Sequence, residues 1–200
     1  MHRSKTDVAS SYAPEGSMRL GDPMEKTLIR QFQVEVERQC QFAMIALQDM
    51  EEASANSDGK LFWYAVQNLL VAVGRISRLL WPPDPLFPNR GAELRESLAV
   101  GEDSPLRALE FVEHFEHFDK RLETWYVTSE QRRFFDSYTE PLDVLAGTAP
   151  VDRFRGYQTE KNAILFQGEA YEVGPVSRAV EELQGRAEAE MQKPRFDQDA

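Results

Sequence analysis

Leu106 to Trp125, LRALEFVEHFEHFDKRLETW, is the stretch whose reading decides the fold. Within it Phe111, Phe115, Phe118, Leu122 and Trp125 recur at steps of 4, 3, 4 and 3. That spacing keeps side chains on one face of a helix. The pattern predicts a single helix over about 105–126, with the aromatic face in the core against two earlier long helices. Ser104 and Pro105 supply the start signal, a hydroxyl N-cap followed by proline in the first turn. At about 100° per residue, Glu110, His114, His117 and Arg121 form a second stripe along one flank. Val112, Glu116 and Asp119 are expected to point away from the core. A polar flank is commonly a solvated helix edge, and it can also cover a contact with another element or chain.

Working back from this stretch, Gly101 to Pro105 is a turn, preceded by a short helix expected over Ala92–Val100. Before that, Trp81-Pro82-Pro83-Asp84-Pro85-Leu86-Phe87-Pro88 cannot form a regular helix, because its prolines lack N–H donors and clash with a preceding turn. Its Trp, Leu and Phe suggest a connector packed on the body. Upstream, Phe62, Val66, Leu69, Val73, Ile76 and Leu80 mark a central helix over about 60–81, widened by Trp63, Leu70 and Leu79. A first long helix over about 23–53 carries Leu28, Phe32, Val36, Cys40, Ala43, Leu47 and Met50 on one face. Asp22-Pro23-Met24-Glu25 is its start signal. Residues 1–21 are polar and aperiodic and are expected to form a flexible arm.

Downstream of Trp125, Thr128 and Gln131 suggest a capping box for a short helix over Glu130–Tyr138. Residues 141–150 are expected to be loop. Two β-type runs, Ala163–Phe166 and Ala170–Val173, flank Gln167-Gly168-Glu169 and predict a β-hairpin within about 153–173. Gly174-Pro175 opens a last helix to about residue 192, whose polar second half is expected to project, and residues 193–200 are a tail. The division is therefore arm, one domain over 22–192, and tail.

The chain has 200 residues, 42% of them hydrophobic, with 12 Phe and 3 Trp, enough for one sizeable core. Thirty-four acidic against 23 basic residues leave a formal charge of −11. Such a surface repels a phosphate backbone unless cations are concentrated locally, so RNA is a disfavoured partner. A lone cysteine, Cys40, can form no internal disulfide and sits on an apolar stripe. The first residues have no apolar signal core, and Leu69–Val73 is far too short to span a membrane. The expectation is a cytoplasmic protein without membrane contact.

Motifs for nucleophilic hydrolysis and for nucleotide phosphates are absent from the sequence: there is no Gly-x-Ser-x-Gly, no Walker loop and no dinucleotide fingerprint. His114 and His117, one turn apart with Glu110 and Glu113 nearby, raise a metal site. The sequence lacks His-Glu-x-x-His, and no second helix repeats a Glu-x-x-His pair. No metal and no cofactor are expected.

The run Ser104-Pro105-Leu106-Arg107 with His114-Phe115-Glu116-His117-Phe118-Asp119 resembles the signature helix of a bacterial HEPN-like family of small helical proteins. The resemblance implies a mainly α fold, a HEPN-like helical bundle with a small C-terminal β-hairpin and a final helix. It also implies a homodimer through the 105–126 helix. The wider HEPN superfamily is known for metal-independent ribonucleases with an Arg-x4-His motif at the dimer interface. In that alignment the histidine is His117, but the arginine position holds Val112 and the polar position after it holds Glu113.

Cleaving RNA through its own 2′-hydroxyl needs an acid or base near neutral pKa, which histidine supplies. It also needs a fixed cation where charge builds on the phosphate. His117, His114 and Glu113 are the candidate acid/base groups, and Arg121 or Arg107 would have to replace the missing guanidinium. Phe115, Glu116, Phe118, Asp119 and Trp125 complete the motif as structural members. The favoured expectation is a non-catalytic interaction or accessory protein with a protein partner, and the alternative is a divergent ribonuclease.

Overall fold

A computed structural model describes residues 26–107, 109–140 and 145–193. The expected arm, the start signal at Asp22-Pro23 and the tail from Pro194 onward lie outside them. Two long helices, α1 (Lys26–Ala55) and α2 (Gly59–Leu80), form a hairpin around a turn at residues 56–58. Asp58 caps α2 by accepting from the backbone N–H of Lys60 (3.1 Å) and Leu61 (3.0 Å), satisfying donors that the first turn leaves orphaned. α1 buries Val36, Cys40, Ala43 and Met50, and α2 buries Phe62, Val66, Leu69, Val73, Ile76 and Leu80. Burial, with the charge of Glu37, pushes the Cys40 thiol up to about 12. The thiol behaves as a small hydrophobe.

α2 stops at the prolines, and arginines cap its last carbonyls. Arg90 donates to the carbonyls of Leu79 (3.1 Å) and Arg78 (3.2 Å), and Arg95 to that of Leu80 (2.5 Å). Both arginines come from α3 (Arg90–Ser97), which begins and ends slightly earlier than the expected 92–100. In the proline connector Trp81 is half-buried and donates its indole N–H to Glu102 (3.1 Å), while Leu86 is exposed.

Three corrections concern the course of the backbone between residues 105 and 172. The first is that the 105–126 helix is not continuous. Pro105–Arg107 is a 3-10 turn, α4 spans Leu109–Glu116, and α5 spans Phe118–Thr128, with His117 (φ −110°, ψ 38°) between them. The two halves serve different neighbours. Val112 of α4 is buried against α2, and α5 lies on the sheet and on the 3-10 turn Pro150–Asp152.

The second correction is at 130–138, where strand and irregular backbone replace the expected helix. The Thr128 hydroxyl donates back to the Thr124 carbonyl (2.8 Å) instead of capping a new helix. Ser129 donates to the buried carboxylate of Asp152 (2.5 Å) and accepts from the Arg132 N–H (2.8 Å). These bonds tie the chain down in extended form and override the local helix signal.

The third is the sheet, which is larger than one hairpin. β1 (Tyr138–Glu140), β2 (Arg155–Gln158), β3 (Ala163–Phe166) and β4 (Glu169–Glu172) lie in that order. β1 pairs with β2 in parallel, and the other pairs are antiparallel. The expected hairpin is β3–β4, closed by Gln167 (φ 48°) and Gly168 (φ 91°). Positive φ at both positions is the turn whose twist matches the flanking strands. All four residues of β3 are buried. Opposite Tyr138, Gly156 leaves room for the phenol ring, which a Cβ there would overlap. α6 (Val173–Gln192) buries Val176, Val180, Leu183 and Ala187, packing on α1. Its second half does not project: Arg30 of α1 donates to the carbonyls of Glu190 and Lys193. The whole is mainly α, with a small sheet and a final helix. No helix among the described residues is long and apolar enough to cross a membrane.

Beneath α5, one ion pair ties β2 to the segment that precedes β1. Arg155 donates to Asp136 from its backbone (3.2 Å) and Nε (2.8 Å), and its guanidinium lies 4.5 Å from the Phe118 ring centroid. Burial alone would raise the Asp136 carboxyl, but the bonds and charge of Arg155 hold it below its ordinary 3.8. A carboxyl depressed on folding contributes stability that is full above its unfolded pKa and is lost as pH falls through the folded one. Denaturation midpoints are therefore expected to fall as pH drops below 3.8, and Asp136→Asn should flatten that acid limb. An equally steep limb in the variant would contradict this role.

Candidate functional site

The α4–α5 break sets two histidines in different surroundings. His114, on α4, turns toward the sheet. Its ring stacks on Phe166 of β3 at 4.9 Å and 2°, and meets Phe111 edge-on at 5.8 Å. Its Nε2 lies 2.9 Å from a carboxylate oxygen of Glu169 on β4, and its Nδ1 is buried without a partner. The side chain is only 12% exposed. One nitrogen is tied to a carboxylate and the other is sealed from solvent, so neither faces an open cleft. The aromatic stripe surrounds this histidine. Phe111 stacks on Tyr171 (5.0 Å), Phe115 meets Phe166 at a tilt (5.7 Å), and Phe118 meets Phe154 edge-on (5.4 Å). The stripe thus packs chiefly on the sheet rather than on α1 and α2. Phe111 is fully buried, and Phe115, Phe118, Leu122 and Trp125 are half-buried.

His117 is exposed, and no described side chain forms a hydrogen bond with its ring. Its neighbour Glu116 accepts twice from Arg78 of α2, at 2.9 and 2.5 Å. That hydrogen bonding holds the Glu116 carboxyl below its usual range and the Arg78 guanidinium above its own. Glu113 and Asp119 are exposed. Arg121 is half-buried, with its Nε–H buried and unpartnered. Arg107 is held away from the histidines, on the 3-10 turn, by Glu102 (2.9 Å). The Glu110 side chain lies outside the described residues.

Val112 corrects the expectation most sharply. It does not point away from the core but is 1% exposed. A Cβ added to Gly74 of α2 would sit 3.0 Å from its Cγ1, so α4 approaches α2 as closely as a glycine allows. The position that the alignment reserves for a phosphate-binding arginine is a helix–helix contact.

Three residues outside the sequence-derived set anchor this region. Glu169 and Phe166 fix His114, and Asp152, 1% exposed, accepts from the Trp125 indole N–H (2.9 Å) and from Ser129. Trp125 on a buried face signals the need for an acceptor, because a buried indole N–H is rarely left unpaired. Nothing local indicates that the acceptor is Asp152.

Chemically, this arrangement offers one exposed imidazole beside an ion-paired carboxylate and a half-buried arginine. Among the described residues no three His, Cys, Asp or Glu side chains are grouped to hold a metal ion. The sequence matches no protein-family model, and comparison with curated proteins and with solved structures gives no match.

Proposed function

We propose that this chain is a non-catalytic, HEPN-like interaction or accessory protein that works as a homodimer in the cytoplasm. The observation that carries the reading is the burial of Val112 against Gly74. Where RNA cleavage would need a guanidinium, the side chain is part of the core, and the position cannot present charge to a phosphate. His114 adds support, since its ring is a packing element between the sheet and α4. The formal charge of −11 adds an unfavourable approach for RNA.

The expected pairing through the 105–126 stretch would have to use the face left open. Its aromatic stripe is occupied by Phe154 and Phe166, and what remains exposed over 113–124 is polar, Glu113, Glu116, His117, Asp119, Lys120, Glu123 and Thr124, with Tyr126 open beyond them. The homodimer proposal is therefore better served by an apolar surface elsewhere.

A divergent ribonuclease remains the second reading, favoured by the unpartnered Arg121 Nε–H one turn from exposed His117. The test is incubation of purified protein with mixed single-stranded RNA and tRNA, with and without divalent metal, beside His117→Ala. No cleavage above background is expected from either. Cleavage by the parent that disappears in His117→Ala would establish the ribonuclease, and its loss in folded Arg121→Ala would identify the replacement cation.

A further inference from the structure

The α1–α2 hairpin carries a second seam that nothing in the described chain covers. Beside the core stripe of α2, Tyr64, Asn68, Val71 and Arg75 recur at steps of 4, 3 and 4, the a/d spacing of a coiled coil. α1 sets Phe42 and Ile45 alongside. Phe42, Ile45, Tyr64 and Val71 are 47%, 56%, 62% and 39% exposed and line one open groove of about 410 Å³. Large apolar side chains gathered in one groove mark an interaction surface. The other exposed aromatics are partly covered within the chain: Arg132 lies over Tyr126 (4.4 Å), and Phe134 packs on Phe154 (4.7 Å).

The groove also states what fits it. Gln39, at its edge, is 2% exposed; its side-chain N–H₂ donates to Glu35, but its carbonyl oxygen is buried with no donor. Such an acceptor costs stability until something donates to it. Counted from the turn, Asp49 sits level with Tyr64, and Gln39 sits level with Arg75. The groove thus has an acidic end and a basic end about 16 Å apart at 1.5 Å per residue. Among the described residues neither Asp49 nor Arg75 forms an ion pair. A second hairpin laid antiparallel across a two-fold axis brings each Arg75 to the partner's acidic end and stacks apolar centre on apolar centre. Such a contact is isologous and self-complementary.

We propose that this groove is the homodimer interface, filled by the α1–α2 hairpin of a second copy to make a four-helix seam. The inference rests on the homodimer reading above and gives it a surface. Its test is sedimentation equilibrium of the full chain and of folded variants checked by circular dichroism. The parent should be a dimer at high micromolar concentration. Ile45→Glu should raise the dissociation constant at least about tenfold, as for a central interface residue. Asp49→Arg and Arg75→Glu should each weaken the dimer, and the double reversal should restore it, a rescue that loss of folding would not give. A dimer indifferent to all four variants would overturn this surface while leaving the homodimer intact. A monomeric parent would overturn both, as it would if the groove served a different protein. Neither result depends on RNA cleavage.

Discussion

Val112→Arg is expected to destabilise the fold by about 4 kcal/mol or more, the range reserved for severe core disruption. Two effects add. The longer side chain overfills a contact in which α4 already meets α2 at Gly74. A guanidinium placed there loses its water and competes with Arg78 for Glu116, one turn along α4, and a buried charge without its own partner is among the costliest single changes. Restoring the arginine of the resembled motif therefore should not restore an active site; it should open the α2–α4 contact. Urea denaturation of parent and variant checks this. A loss under about 1 kcal/mol, the level of an ordinary surface change, would mean that α4 does not pack on α2 as described.

Phe166→Ala is expected to cost about 3–5 kcal/mol, the usual penalty for emptying a fully buried aromatic site. Phe166 is fully buried on β3 and is the ring on which four others converge: His114, Phe115, Phe118 and Phe154. Removing it leaves α4 and α5 without their common anchor. Phe118→Ala should cost distinctly less, because Phe118 is half-buried and lies under the Arg155 guanidinium. Equal losses in the two variants, measured by thermal unfolding, would contradict the placing of the hub on the sheet.

The long helices were legible because their signals are local. α2 repeats apolar residues for six turns and ends at two prolines, and no distant contact needs to be known. The break at His117 was not legible, because the aromatic period runs unbroken from Phe111 to Trp125. It arises where α4 must meet α2 while α5 meets the sheet. The burial of Val112 is hidden in the sequence for the same reason. A helical wheel assumes one buried face, and α4 buries two, one on Phe166 and one on Gly74. β1 has only three residues, and its partner lies across a parallel connection, so no alternation could reveal it. Both histidines were visible, but what separates them is Glu169, 55 residues from His114. A contact of that kind exists only once the β3–β4 hairpin has formed.

His114 and His117 divide into a packed ring and a free one. Side-chain proton NMR of the parent, assigned with His114→Gln and His117→Gln, reads this division directly. The His114 ring protons should be displaced from free-imidazole positions by the Phe166 and Phe111 rings, and Phe166→Leu should largely remove that displacement. His117 should resonate as a solvated imidazole and stay unmoved in the same variant. Two histidines with the same solvated signature would contradict the packed role of His114, and a displaced His117 would show that it, not His114, occupies a built site.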